Sequence, residues 1–313
     1  MLFSILIANY NNSRYLQTVL ASLEVQTCQD WEVILVDDAS TDGFEEAMTR
    51  WRQEEKIRVF RNQRNEGCGF TKRRCAELAS GRLLAFVDPD DALVPEALEM
   101  MAAAHAQHPE CSLVYSTHYI CDEALRVGRV AGYPRSLPSN IPYLLLGDGS
   151  IHHFATFKKT CYDWTEGLSS SNRKGVDQDL YYKLEETGEV LFIDKPLYYY
   201  RIHRGSISNA GKEREATLWH YSIILEACQR RMRQLKRGGP EVAELVKAYR
   251  ARYYKIRVFR AFRERKYIDF LYSLMVFPFA GGWQNVVSYC RKLPGEGKAL
   301  IRRSLVDDYE IKV

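Results

Sequence analysis

The sequence of 313 residues lacks the features that mark several protein classes. Its eight cysteines form no Cys-x-x-Cys pair, so we expect reduced thiols and neither a zinc site nor a disulfide framework. No apolar run reaches the roughly 18 uninterrupted residues that a membrane-spanning helix requires. The first residues, Met1 to Ile7, carry no basic leader, so we expect no secretory signal peptide. No internal repeat is visible.

The composition that remains is that of a globular protein, with 46% hydrophobic and 27% charged residues. The net charge of +4 hides a split between the two parts of the chain. Residues 206–313 hold 22 Lys or Arg against 11 Asp or Glu, whereas residues 1–205 hold 22 against 29. This asymmetry predicts an acidic functional region and a basic tail that faces an anionic partner, either a membrane surface or nucleic acid.

The first half of the chain alternates short apolar runs with helical patterns, which predicts parallel strands joined by crossover helices. Strands are predicted at 2–8, 31–36, 57–61, 83–87, 113–119, 155–158, 190–193 and 197–201. Helices are predicted at 13–26, 43–54, 71–79, 95–105 and 177–186, and two more follow residue 211, separated near Gly238. The fold class is therefore α/β with a mainly parallel central sheet, followed by an α-helical C-terminal region.

Four aspartate-bearing segments fall at predicted strand ends or helix starts, at 36–40, 87–91, 176–180 and 193–194. Because open α/β sheets bind ligands at the carboxyl ends of their strands, we expect these carboxylates to gather there. Asp37 and Asp38 end a buried strand, where a carboxylate can accept from a pyrimidine base or a ribose hydroxyl. The alternative is that Asp37 is a buried structural residue beside a helix cap.

The segment Phe86-Val-Asp-Pro-Asp-Asp91 carries two carboxylates at a spacing of two residues on a strand exit. Such oxygens can hold one Mg²⁺ or Mn²⁺ that keeps room for phosphate oxygens. The alternative is an acidic turn before a helix that begins near Pro95. The segment Asn65 to Arg74 adds glycines before a helix whose first turn carries Lys72, a pattern that can hold a diphosphate.

Six motifs occur in an order that resembles the family 2 inverting glycosyltransferases with the GT-A fold. They are Ser4 to Asn11, Val36 to Asp42, Asn65-x-Gly67 with Lys72, Phe86 to Asp91, Asp177-x-x-Leu180 and Tyr200 to Ser208. The resemblance covers about residues 1–208, which suggests a glycosyltransferase domain there and a basic helical region at 209–313.

The resemblance implies a role for each residue that matches a family motif. A nucleotide-sugar site is implied for Ala8, Tyr10, Asp37, Asp38, Lys72, Asp88 and Pro89. Metal ligands are implied for Asp90, Asp88 and His203, and the catalytic base is implied for Asp177. Two positions depart from the family pattern. Ala8 stands where Thr or Ser is frequent, which removes a hydroxyl contact to the base, and Val176 stands where Glu is common before the catalytic Asp.

Two further features have more than one interpretation. His203 has Arg201 and Arg204 as neighbours, which favours contact with a metal or phosphate over a structural role. His152 and His153 are interpreted as loop residues, with contact to the acceptor as the alternative. The stretch 247–266 carries nine Lys or Arg among aromatic and aliphatic residues. It is either a surface helix packed on the catalytic domain or an attachment site for an anionic membrane, which would involve residues 240–313.

The sequence therefore predicts a metal-dependent inverting glycosyltransferase that uses Mn²⁺ or Mg²⁺ and a nucleotide-sugar donor, which we expect to be a UDP-sugar. The expected acceptor is a glycan, a lipid-linked glycan or another hydroxyl compound in surface polysaccharide assembly. The expected location is cytoplasmic, either free or attached peripherally to the cytoplasmic face of the membrane, and no nucleic-acid partner is expected. Two alternatives remain, a nucleotidyltransferase acting on sugar phosphates and a non-enzymatic nucleic-acid-binding protein that uses the basic tail.

Overall fold

The structure is a computed structural model, and it describes residues 1–138, 141–147, 149–203, 213–235 and 240–281. The chain divides into two compact units. The first comprises Met1–Pro138 and Ser150–Lys212, and the second comprises Ser139–Gly149 and Glu213–Val313. The predicted boundary between residues 208 and 209 lies outside the described residues.

The first unit contains all of the described strands and most of the short helices. Its strands are β1 (Phe3–Asn9), β2 (Trp31–Asp37), β3 (Ile57–Arg61), β4 (Leu83–Phe86), β5 (Ala92–Leu93), β6 (Cys111–Cys121), β7 (Val127–Val130), β8 (Ala155–Lys158) and β9 (Glu189–Arg201). Its helices are α1 (Leu16–Glu24), α2 (Phe44–Ala47), α3 (Cys68–Leu78), α4 (Ala97–Gln107), α6 (Lys159–Asp163) and α7 (Val176–Leu184), and 3₁₀ turns occupy Ser13–Tyr15 and Trp51–Gln53.

Within the described residues the strands form a single sheet in the order β3-β2-β1-β4-β8-β6-β9-β5, and β7 pairs with β6. The half formed by β3, β2, β1 and β4 is parallel, as predicted. In the other half, β8 runs antiparallel to both β4 and β6, while β9 runs parallel to β6. Asn9 at the end of β1 lies opposite Asp37 at the end of β2, so polar side chains meet at the carboxyl edge of the parallel half.

The core explains why these segments fold as they do. Every residue of β2 is buried, as expected for a parallel strand covered on both faces. Helix α1 buries Leu16, Leu20 and Leu23, the face that its sequence spacing predicts. The described cysteines are free thiols, in agreement with their scattered spacing.

Three local predictions differ from the structure. The helix predicted at 43–54 is the short helix α2 followed by a separate 3₁₀ turn, which buries Trp51 completely and lets its indole nitrogen donate to Gln17.

The two strands predicted on either side of Pro196 are one strand, β9, because register shifts opposite Ser116 and Thr117 accommodate the interruption. Asp194 is therefore an exposed residue inside β9 and does not join the other aspartates at a strand exit.

The described part of the second unit is helical. It contains α5 (Tyr143–Leu146), α8 (Glu213–Gln234), α9 (Pro240–Glu264) and α10 (Tyr267–Gly281). Helix α9 packs against α8 and α10, and the rings of Tyr221 and Phe259 stack at 6.5 Å between α8 and α9. Among the described helices, none combines the length and the apolar character that crossing a membrane requires.

Candidate active site

The carboxylate of Asp37 is fully buried and is held within the turn that follows β2. Its Oδ1 accepts from Asn9 Nδ2 at 2.8 Å and from the Ser40 hydroxyl, and its Oδ2 accepts from the Ser40 backbone N–H at 3.0 Å. Arg61 Nε lies 3.4 Å from the same oxygen. These contacts fix the turn between the strand end and the first residues after it, and the role of Asp37 in nucleotide binding remains a prediction.

Asp38 shapes the neighbouring loop. Its Oδ1 accepts from Asn62 Nδ2 at 2.7 Å and from the Glu66 N–H at 2.9 Å, and its Oδ2 accepts from the Gly67 N–H at 2.8 Å. Gly67 has a φ of +95°, a conformation that favours glycine. Asp38 therefore places the glycine-bearing loop that leads into α3.

Lys72 forms ion pairs with both Asp177, the predicted base, and Asp88 of the predicted metal motif. Its side chain is buried, and Nζ lies 2.8 Å from Asp177 Oδ1 and 3.4 Å from Asp88 Oδ1. Burial alone would lower the pKa of Lys72, but the attraction of Asp177 and then Asp88 outweighs it and raises the pKa well above its usual range. The residue predicted to contact a diphosphate thus lies between the predicted base and the predicted metal motif.

The start of α7 presents Asp177 to this site. The helix follows Gly175, which has a φ of +67°, and the carboxylate of Asp177 remains partly exposed. Asp179 is buried instead and pairs with Lys183 Nζ at 2.8 Å inside the protein. Of the two aspartates in this helix turn, Asp177 alone reaches Lys72 in the described structure.

The residues before α7 are anchored by close packing on α3. A Cβ at Gly69 would lie 2.4 Å from the backbone oxygens of Ser169 and Asn172, so only glycine fits there. The Gly69 N–H donates to the Asn172 carbonyl at 2.9 Å. The glycine segment therefore positions the loop that leads into α7 and so to the predicted base, Asp177.

Asp90 and His203 form a pair at the other side of the predicted metal motif. His203 Nε2 lies 2.8 Å from Asp90 Oδ2, and the imidazole is buried against the ring of Tyr15 at 5.0 Å. Arg201 donates from Nε to the Asp90 carbonyl, and its guanidinium lies 4.6 Å from the centre of the Tyr15 ring. The end of β9 thus holds the backbone and the side chain of Asp90.

Asp91 ties this segment to the sheet. Its buried carboxylate accepts from the Tyr198 hydroxyl at 2.7 Å and from the Arg201 N–H at 2.8 Å. The Tyr198 hydroxyl in turn accepts from the Asp88 N–H at 3.1 Å. Asp91 therefore serves to fix the turn in which Asp88 and Asp90 stand.

Crowding of three carboxyl groups has clear electrostatic consequences. Burial raises the pKa of Asp90, and the neighbouring Asp88 raises it further. Burial, Asp90 and Asp88 raise the pKa of Asp91 well above its usual range. Burial also opposes ionisation of Asp88, but Lys72 and His153 outweigh it and lower its pKa. Of the three carboxyl groups, Asp88 is thus the one whose ionised form the site stabilises.

His153 is a residue of this site that the sequence did not reveal. Its Nε2 lies 3.6 Å from Asp88 Oδ2, and its ring stacks on Tyr198 with the centroids 5.0 Å apart. Its carbonyl accepts from His118 Nδ1 at 3.1 Å in one tautomer. No local sequence pattern marks His153, because its contact with Asp88 arises only when the segment before β8 packs against β9.

The remaining predicted residues surround the same edge of the sheet. Ala8 is half-buried near the end of β1, Tyr10 just beyond β1 is 46% exposed, and Pro89 is buried between Asp88 and Asp90. Their roles in nucleotide binding remain predictions.

The predicted metal ligands fit a divalent cation in type but not in their present arrangement. Carboxylate and imidazole groups are donors that Mn²⁺ accepts, and Mg²⁺ accepts carboxylates. In the part of the chain that the structure describes, no group of three or more His, Cys, Asp or Glu side chains could hold a metal ion. Asp90 is hydrogen-bonded to His203 and Asp88 is paired with Lys72, so a cation would have to replace these contacts.

Comparison with known proteins places the chain among glycosyltransferases. Residues 4–162 match the family described as Glycosyl transferase family 2. Chondroitin synthase of Escherichia coli is 29% identical over 230 residues, which cover 73% of this chain and 33% of the synthase. The putative glycosyltransferase EpsH of Bacillus subtilis (strain 168) is 26% identical over 213 residues, which cover 65% of this chain and 62% of EpsH. The chain thus spans a third of the length of the synthase and under two thirds of EpsH.

Solved structures share the fold. S. aureus TarS 1-349 in complex with UDP-GlcNAc superposes with a TM-score of 0.59 at 16% identity, and the aligned region covers 90% of each chain. The mannosyltransferase PcManGT from Pyrobaculum calidifontis, in complex with GDP-Man and Mn²⁺, superposes with a TM-score of 0.57 at 14% identity and covers 98% of this chain and 85% of its own. The predicted GT-A fold class is confirmed by this likeness. Because the family match extends over about half of the chain, the protein belongs to glycosyltransferase family 2.

Proposed function

We propose that the protein transfers a sugar from a nucleotide-sugar donor, a UDP-sugar, to an acceptor hydroxyl with inversion at the anomeric carbon. The observation that carries the proposal is the bridge from Lys72 to Asp177 and Asp88, at 2.8 Å and 3.4 Å. It brings a carboxylate from the start of α7 to the end of β4. One carboxylate can then serve the acceptor while the other serves the donor.

The reaction requires one bond to form as another breaks. The acceptor oxygen attacks the anomeric carbon, and the electron pair of the broken carbon–oxygen bond leaves with the nucleoside diphosphate. Asp177 accepts the proton of the attacking hydroxyl. Lys72 engages Oδ1 of this carboxylate, which leaves the second oxygen for the proton.

Donor binding is assigned to the carboxyl edge of the parallel strands. Exposed Tyr10 is suited to stack on the base, and the loop fixed by Asp38 is suited to surround the ribose. Lys72 is suited to contact the diphosphate once Asp88 turns toward a cation. TarS binds UDP-GlcNAc on the same fold, which supports a UDP-sugar as the donor.

Mn²⁺ or Mg²⁺ is proposed as the cofactor, held by Asp88, Asp90 and His203. Such a cation, when bound, stabilises the charge on the departing diphosphate. The direction of the Asp90 pKa supports this assignment: burial and the neighbouring Asp88 raise it, and a bound cation would offset that repulsion. The Mn²⁺ complex of PcManGT gives further support.

We place the activity in polysaccharide assembly at the cytoplasmic face of a membrane, with a glycan or lipid-linked acceptor. The support is the name of the chondroitin synthase relative, of which this chain spans a third. Glycosyl transfer is favoured over nucleotidyl transfer and over nucleic-acid binding, because the relatives reported above are named as glycosyltransferases or polysaccharide synthases.

The test compares Asp177→Asn with Asp30→Asn, a control at an exposed carboxylate. Thermal unfolding with a panel of UDP-, GDP- and dTDP-sugars and Mn²⁺ identifies the donor, because a ligand of the native state raises the melting temperature. We expect Asp177→Asn to keep that protection while transfer falls by about 10²- to 10⁴-fold. Transfer at the wild-type rate in Asp177→Asn would refute the base assignment.

A further inference from the structure

Helix α10 exposes an unusual amount of apolar surface. Seven of its fifteen residues are large apolar side chains with exposed fractions from 42% to 86%, namely Tyr267, Ile268, Leu271, Tyr272, Leu274, Met275 and Phe279. The rest of the described chain has nine exposed large apolar side chains, with exposed fractions from 38% to 74%, and they are spread from Met1 to Phe262. A contiguous apolar patch of this kind marks an interaction surface.

The exposed side chains follow the helix period. Ile268, Leu271, Met275 and Phe279 are separated by three or four residues, so they form one stripe along α10. The packed side of the helix contains buried Ser273 and Ala280. We call the four residues the apolar stripe of α10.

Positive charge lies next to this stripe. The stretch 247–266 in and just after α9 carries nine Lys or Arg and one acidic residue, Glu264. Arg265 and Lys266 are exposed immediately before α10 begins, and Asp269 is the single charged residue of α10 itself. Some of these cations pair with acidic residues, as Arg257 does with Asp269 and Lys266 does with Glu264. Cations nevertheless outnumber acidic residues, so the helix pair combines an excess of positive charge with an apolar surface.

We propose that α10 lies in the plane of an anionic lipid bilayer, with the apolar stripe inserted among the acyl chains and the cations of α9 near the headgroups. Both signals needed for stable peripheral attachment are present, buried apolar area and cationic residues. A second copy of the chain fits less well, because it would bring the same positive surfaces together. Nucleic acid would complement the charge but would leave the apolar stripe in water.

Insertion and charge attraction differ in their response to salt. From 0.1 M to 1 M salt the Debye length falls from about 10 Å to about 3 Å, which weakens binding that rests on exposed charge alone. Burial of apolar side chains is not screened. Attachment through the apolar stripe should therefore survive salt that removes purely electrostatic binding.

The experiment measures co-sedimentation of the full chain with vesicles of phosphatidylcholine and phosphatidylglycerol. Met275→Glu places a charge in the stripe, and Ala243→Glu makes the same change of charge at an exposed position of α9. We expect the wild type to stay bound at 0.5 M salt, Met275→Glu to bind about tenfold more weakly, and Ala243→Glu to change by less than about twofold. Thermal unfolding of both variants verifies that they are folded, and the assay requires no sugar transfer.

Three outcomes would overturn the proposal. The first is equal vesicle binding by the Met275 and Ala243 variants, and the second is complete release of the wild type at 0.5 M salt. The third is a lipid-free dimer, seen by light scattering, that Met275→Glu dissociates, because the stripe would then join two copies of the chain.

Discussion

Replacing Lys72 by methionine removes the cation shared by Asp88 and Asp177 while keeping most of the buried side-chain volume. At an effective dielectric constant of about 20, unit charges 2.8 Å apart attract by roughly 6 kcal/mol. Asp177 is 29% exposed, and loss of one partner from a buried pair costs about 3–5 kcal/mol. We therefore expect a measured coupling between Lys72 and Asp177 of about 2–3 kcal/mol.

A double-mutant cycle isolates this coupling. Urea unfolding at pH 7 with EDTA is compared for the wild type, Lys72→Met, Asp177→Asn and the double variant. The matched control is the exposed pair of Arg73 and Glu77 on the same helix, at 2.9 Å, for which about 0.3–0.5 kcal/mol is expected. A coupling for Lys72 and Asp177 no larger than the control value would refute the idea that Lys72 holds the site together.

The same variant has a distinct dependence on pH. In the wild type the pKa of Asp88 is lowered, so its contribution to stability is present above the unfolded pKa of about 3.9 and is lost as pH falls through the folded pKa. Without Lys72, only His153 still offsets burial, so the pKa of Asp88 rises and less of the stability that its carboxylate contributes above pH 4 remains. The loss of unfolding free energy caused by Lys72→Met should therefore grow between pH 4 and pH 7. A loss that is the same at both pH values would contradict this account.

Three further predictions follow from the placement of individual side chains. Tyr10→Ala should weaken UDP binding about tenfold in calorimetry, since stacking on a base contributes about 1–3 kcal/mol, and its exposure means that stability should not change. Asp88→Asn or Asp90→Asn should weaken Mn²⁺-dependent donor binding in calorimetry, because each removes an anionic oxygen from a hard cation. Asp179→Asn should lower the free energy of unfolding by about 3 kcal/mol, because it leaves the buried Lys183 without its charge partner, and should leave UDP affinity unchanged.

Each of these has an outcome that counts against it. Equal UDP affinity of Tyr10→Ala and wild type would remove Tyr10 from the nucleotide site. Unchanged metal dependence in both Asp88 and Asp90 variants would remove the metal assignment, and Asp30→Asn serves as the exposed control. A loss of transfer in Asp179→Asn without a loss of stability would mean that the base had been assigned to the wrong aspartate of α7.

The sequence by itself determined the parallel half of the sheet and the aspartates at its edge. Each of the strands β1 to β4 is a short apolar run, which is a local signal, so their positions agree with the prediction within one residue. The aspartates after β2 and β4 follow from this placement, because parallel strands end at one edge. The order of the family motifs supplied the other predicted residues of the candidate site, but not His153.

Only the tertiary structure decided which of these residues meet. Lys72 and Asp177 are 105 positions apart in the chain, and no local pattern encodes their contact. His153 reaches Asp88 because β8 inserts into the sheet between β4 and β6, which depends on pairing between distant segments. The apolar residues of α10 have a helical pattern that suits a core or an interface equally well. The choice depends on which neighbours cover the helix, and in the described chain the stripe from Ile268 to Phe279 is left exposed.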